Sequence, residues 1–145
     1  MNGRFDDTEQ FAKQIYASED GKDYAAAYID QNFEKRVEDV YLPKVDFLLD
    51  QLEFKNPKLL DVGCGGGYFV HACQQRGLDA KGIDVSRTMV DFGNMNISNR
   101  EGISPLLLVD EDSFYNEVRN TKANIVSTIG VIEHLRQPKR LFEAF

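Results

Sequence analysis

No run of apolar residues in this chain approaches the roughly 20 needed to cross a bilayer. The opening residues, Met1-Asn2-Gly3-Arg4-Phe5-Asp6-Asp7, lack the apolar core of a secretory signal. Cysteine is scarce: Cys64 and Cys73 are the only two, and their placement gives neither a disulfide framework nor zinc-ligand spacing. Both are expected to be reduced thiols, which makes the cytoplasm the expected location. Basic residues are outnumbered, with 17 Lys and Arg against 24 Asp and Glu and a net charge of −7. Proteins that bind nucleic acid carry a basic face that displaces counterions from phosphate. The nearest approach to one, Lys35-Arg36, runs at once into Val37-Glu38-Asp39. Nucleic acid is therefore a disfavoured partner, and a small or polar metabolite the preferred one. Internal repeats and low-complexity segments are also missing.

What is present is an ordinary globular composition, 42% hydrophobic and 28% charged over 145 residues. That length supports one domain with a real core. Asn56-Pro57 separates two regions. Residues 1–56 read as N-terminal helices: one over about Asp6 to Tyr16, one over Lys22 to Asn32, and a third in which Val37, Tyr41, Val45, Leu48, Leu49 and Leu52 recur at helical spacing. Pro43 is expected to break or restart that third helix. Phe11, Tyr16, Tyr24, Tyr28 and Phe33 are expected to pack in a core. From Lys58 onward strands alternate with helices, which requires right-handed crossovers and a parallel sheet. The expected fold class is α/β, a Rossmann-like parallel sheet with flanking helices, with residues 57–145 binding a cofactor.

The most informative stretch is Leu59-Leu60-Asp61-Val62-Gly63-Cys64-Gly65-Gly66-Gly67-Tyr68. An apolar run ends in an acid, glycines follow, and a helix begins directly after them. Glycines let a chain turn sharply out of a buried strand and approach a ligand where any Cβ would collide. The following helix directs the positive end of its dipole at that turn. The dinucleotide fingerprint G-x-G-x-x-G places a pyrophosphate there. Here Tyr68 stands where the third glycine belongs, and Asp61 lies two residues before the first. A carboxylate at that place repels a pyrophosphate and attracts an ammonium group. A second anchor, Lys81-Gly82-Ile83-Asp84-Val85-Ser86, ends in Asp84, 19 residues beyond Gly65, a separation at which an acid meets ribose hydroxyls. Its alternative is a strand-end acid that caps the next helix, which Ser86 is also expected to cap ahead of Met89, Val90 and Phe92.

With these two motifs the sequence resembles the class I S-adenosylmethionine-dependent methyltransferases, whose first motif reads much like Leu60-Asp61-Val62-Gly63-Cys64-Gly65-Gly66-Gly67. The resemblance implies S-adenosyl-L-methionine as cofactor, its methionine part wrapped by the glycine turn. It also implies a cofactor-binding set of Asp61, Gly63, Cys64, Gly65, Asp84, Val85, Met89, Asp110 and Ile129. Asp110 follows a third strand expected over Ile103 to Val109, where the family has an acid or amide for the adenine amino group; the alternative is a solvated acidic turn. Ala123 to Leu135 resembles the family's fourth strand and the segment that passes the sulfonium and the acceptor. N-terminal helices lid the cofactor in this family, so Arg36 could reach its carboxylate or lie at the surface.

His134 is the candidate general base, with a structural hydrogen bond as the alternative; His71 is expected to face elsewhere. Ile132-Glu133-His134-Leu135 resembles the ubiquinone-pathway O-methyltransferases, which points to an acceptor hydroxyl. Those enzymes show E-x-x-E-H there, and Gly130 replaces the first acid, so no metal is assigned. Pro138 opens a helical pattern that stops at Phe145. The family fold has seven strands and this chain supplies four, so its C-terminal part is expected to be missing, leaving a sheet edge through which copies could associate. Two other readings stay open: a Rossmann enzyme using NAD or a sugar nucleotide, and a cofactor-binding fragment without catalysis.

Overall fold

The computed structural model describes residues 29, 32–53, 56–97, 104–135 and 137–145. The helix expected over 6–16, most of that over 22–32, and core roles for Phe11, Tyr16, Tyr24 and Tyr28 fall outside them. Asn32 does not end a helix. Its side-chain oxygen accepts from the Lys35 amide at 3.1 Å and caps α1 (Phe33–Arg36). Helical structure then runs through a π-turn at Val37–Tyr41 into α2 (Leu42–Asp50). Pro43 explains the wider turn: lacking an N–H, it crowds the carbonyl four residues back. The Leu42 amide reaches the Val37 carbonyl instead. So Pro43 does not break the helix but sits in the first turn of α2. The π-turn also keeps Phe33, Val37 and Val45 on one buried face, at 6%, 0% and 0% exposure.

Four parallel strands follow, β1 (Lys58–Val62), β2 (Asp79–Asp84), β3 (Leu106–Leu108) and β4 (Ile125–Ser127), with α3 (Tyr68–Gln75), α4 (Arg87–Asn96) and α5 (Glu111–Asn120) in the crossovers. A 3-10 turn at Ile132–His134 and α6 (Pro138–Ala144) complete the described chain. The sheet order is β3-β2-β1-β4, the Rossmann-like arrangement expected. β3 is shorter than its apolar pattern because Pro105 cannot donate to the ladder; the Pro105 carbonyl still accepts from the Gly82 amide at 3.0 Å.

Successive strand residues point to opposite faces, and both faces are covered. Leu59 joins Phe33, Val37, Val45, Phe69, Val70 and Cys73 on one side. Leu60 and Val62 join Ile83, Phe114, Val118 and Leu141 on the other. The β1 run therefore reads as continuously apolar except for one residue. That residue, Asp61, is 3% exposed and is the one buried charged residue among those described.

Candidate functional site

The strand order reverses at β1, with β2 on one side and β4 on the other. In open α/β sheets such a reversal, beyond the carboxyl ends of the strands, is the usual ligand position. Four elements meet at it: the end of β1 with Asp61, the turn over residues 63–67, the end of β2 with Asp84, and the chain after β4.

Hydrogen bonds to β2 pin the turn. The Gly63 and Cys64 amides donate to the Ile83 carbonyl at 2.8 and 3.1 Å. The Gly65 amide donates to Asp84 Oδ2 at 2.8 Å. Gly65 has φ +53°, a left-handed conformation that side chains disfavour, and a Cβ there would meet only Met89 Cε at 3.6 Å. Its neighbours differ. A Cβ on Gly63 would collide with the Val131 side chain, one on Gly66 would press on Phe92 and Tyr68 at 3.1 Å, and one on Gly67 would lie 2.6 Å from Leu106. Three glycines of the turn thus admit protein atoms. The side of Gly65 is open.

Two carboxyl groups stand at the strand ends beside this turn. Burial pushes the Asp61 carboxyl up to about 7; the Ser127 hydroxyl, donating to Asp61 Oδ1 at 2.7 Å, works against that, and the Asp84 charge adds to it. Asp84 is also held above the ordinary carboxylate range, by burial first, against the lowering effect of amide donors from Ser86, Gly65 and Val85. A buried acid raised this far regains its charge when a cation arrives. The turn therefore suits a ligand with an amine at one end and hydroxyls near Asp84.

The sequence pattern of a methyltransferase domain matches residues 33–145. The chain belongs to that family. It is 32% identical over 105 residues to a Mycobacterium tuberculosis protein named a probable fatty acid methyltransferase, covering 72% of this chain and 24% of the relative. It is 24% identical over 107 residues to the ubiquinone biosynthesis O-methyltransferase of Coxiella burnetii, covering 69% and 42%. The methyltransferase domain thus spans less than half the length of these relatives. Its fold matches a Synechocystis magnesium protoporphyrin IX methyltransferase solved with S-adenosylmethionine bound. That match has a TM-score of 0.63 at 17% identity and covers 99% of this chain and 72% of that one.

In the methyltransferase domain the expected site residues converge in part. Met89 is buried with its methyl beside Gly65, while Val85 and Ile129 are 39% and 40% exposed. Cys64 turns inward, its Sγ 2.6 Å from where a Gly82 Cβ would stand. Burial, then the Asp84 and Asp61 charges, push its thiol up, so only its backbone lines the turn. Asp110 is not a merely solvated turn residue. It caps α5, Oδ1 accepting from the Ser113 amide at 2.7 Å while the Ser113 hydroxyl accepts from the Asp110 amide at 3.1 Å. Ser86 occupies the N-cap position of α4, but its hydroxyl makes no cap; its amide donates to Asp84 Oδ1 at 2.8 Å instead. His134 is exposed in the 3-10 turn. His71 faces α1, with Nε2 3.3 Å from Glu34.

Tyr68, which excludes a third glycine, does not enter the crevice. It is 3% exposed and stacks against Phe33 at 4.7 Å and Tyr41 at 5.6 Å. The Arg36 guanidinium lies over its ring at 5.1 Å, so Arg36 is half-buried at the start of α3 rather than on the surface. This stack fastens α1 and the π-turn beside the glycine turn. Sequence reading missed Ser127. The signal for it was the parallel register, which sets the end of β4 against the acid ending β1.

The Asp61 environment gives a pH prediction. In the unfolded chain its carboxyl loses its proton near 4, while in the folded chain it keeps it to about 7. The native state therefore binds more protons across that window, and stability falls as pH rises through it. Urea unfolding is expected to show Asp61→Asn gaining stability over the wild type between pH 4 and 7. Asp84 leaves a residual slope of the same sign. Parallel profiles for the two proteins would show that Asp61 titrates normally.

Proposed function

We propose that this domain binds S-adenosyl-L-methionine in the crevice at the β1–β4 boundary and serves a methyl transfer to a small-molecule acceptor, at oxygen. The observation carrying this reading is the buried Asp61 carboxyl beside an open Gly65 turn, a pairing that favours an amino-acid tail over a diphosphate. The cofactor would supply an already activated methyl group on a sulfonium. The chain's own task is alignment. Asp61, Gly63 and the backbone of Cys64 and Gly65 receive the methionine part. Asp84 receives the ribose hydroxyls, and Val85 and Met89 flank the nucleoside. Asp110 is assigned to the adenine amino group, and Ile129 borders the reacting end.

His134 is assigned as proton acceptor for the hydroxyl, because His71 is committed to the side of α1. With an acceptor in hand, His134→Ala is expected to lower kcat by about 100-fold at unchanged cofactor KM; an unchanged kcat would leave it a structural residue. An oxygen acceptor is supported by the Glu133-His134 segment and by the ubiquinone-pathway relative's name.

Calorimetric titration separates this reading from a nucleotide-dependent one. S-adenosylhomocysteine is expected to bind and NAD to give no heat. Saturable NAD binding without S-adenosylhomocysteine binding would replace the assignment with an oxidoreductase.

A further inference from the structure

We propose that Ser127 is a positioning residue that fixes the Asp61 carboxylate, in place and in charge, for the ammonium group of the cofactor. The inference rests on the proposed function and deepens it.

The geometry is specific. Asp61 and Ser127 are register partners on adjacent parallel strands. Their side chains lie on the same face, and the hydroxyl donates to Oδ1 at 2.7 Å. β1 buries this carboxyl among apolar neighbours, at 3% exposure, with no positive charge beside it among the described residues. The charged and titratable groups facing it are Asp84 from the end of β2, the Cys64 thiol from the turn and the Cys73 thiol from α3. Asp84 is acidic, and the burial-raised thiols, Cys73 at about 12, stay neutral. Burial and the Asp84 charge thus oppose its ionisation, while the Ser127 hydroxyl favours the charged form, and it leaves Oδ2 for an incoming donor. It does so through a bond that spans 66 residues of sequence, so the strand bordering the crevice also sets the charge on its floor.

The chemistry has a measurable consequence. A hydrogen bond to a charged group contributes enough that its loss should raise the Asp61 midpoint by about one pH unit. At pH 7 that lowers the ionised fraction about fivefold, while at pH 8.5 the fraction stays within about twofold of the wild type. Ser127→Ala is therefore expected to bind S-adenosylhomocysteine about fivefold more weakly than the wild type at pH 7, the ratio closing towards pH 8.5. Ser127→Thr, which keeps the hydroxyl, should restore both values. In the ligand-free protein, carbon-13 detection of the Asp61 carboxyl should show the midpoint moving upward in Ser127→Ala alone. An unmoved midpoint, or a loss of affinity equal at all pH values, overturns the role of Ser127 while wild-type binding leaves the reading of the site intact. A wild type that ignores S-adenosylhomocysteine at every pH overturns both.

Discussion

Replacing Asp84 with alanine is expected to abolish measurable S-adenosylhomocysteine binding, a loss of at least about 100-fold, and to destabilise the fold by about 2 kcal/mol. The two effects have one cause. Asp84 Oδ2 holds the Gly65 amide and Oδ1 holds the Ser86 amide, each at 2.8 Å. Truncation orphans both donors in a partly buried place and frees the turn proposed to receive the ligand. It also removes the acid assigned to the ribose. One compensation exists: the Asp84 charge raises the Asp61 midpoint, so its removal lets Asp61 ionise at lower pH. Asp84→Asn keeps one acceptor oxygen and should fall between. Calorimetry and urea unfolding on both variants check this. Full binding by Asp84→Ala would show that the turn holds its shape unaided.

A second large effect is expected at Gly93, in the middle of α4 and far in sequence from the turn. A Cβ there would collide with Leu106 and stand 2.5 Å from the Gly66 carbonyl oxygen and 2.8 Å from its carbon. The leucine tip can rotate, but the Gly66 backbone cannot retreat without deforming the turn. Gly93→Ala should therefore cost about 2–3 kcal/mol, even though alanine favours a helix by up to about 1 kcal/mol over glycine. It should also weaken S-adenosylhomocysteine binding about tenfold, through displacement of the turn. Gly77→Ala is the control. Its Cβ would meet nothing within 4 Å and suffers only the strain of φ +83°, roughly 1–2 kcal/mol, with binding unchanged. Equal affinity losses at the two positions would mean that general stability, not the α4 contact, governs the turn.

These couplings mark where the sequence was legible. The glycine turn, the acids at the ends of β1 and β2, and the strand–helix alternation are written in contiguous residues, because each depends on local backbone chemistry. Pro138 opening α6 belongs to the same class. What stayed hidden depends on register and packing. Asp61 and Ser127 meet only because β4 lies beside β1, a consequence of strand order. Gly93 looks like an isolated helix glycine until Gly66 is placed against it. The π-turn before Pro43 carries the chain into the helix that Pro43, expected to break or restart it, restarts. Asp110 and Ser113 form a capping box that uses the acid expected for adenine, while Ser86, expected to cap α4 with its hydroxyl, instead donates its own amide to the Asp84 carboxylate. In each case the partner was set by the fold.

The pairing of Asp61 with a cationic tail is best tested by titrating wild type and Asp61→Asn at pH 8 with two ligands, S-adenosylhomocysteine and 5′-methylthioadenosine, which lacks the amino-acid tail. Losing one charge-assisted hydrogen bond should weaken S-adenosylhomocysteine binding by about 10- to 100-fold and leave methylthioadenosine within twofold of wild type. Equal losses for both ligands, or none for either, would contradict the account.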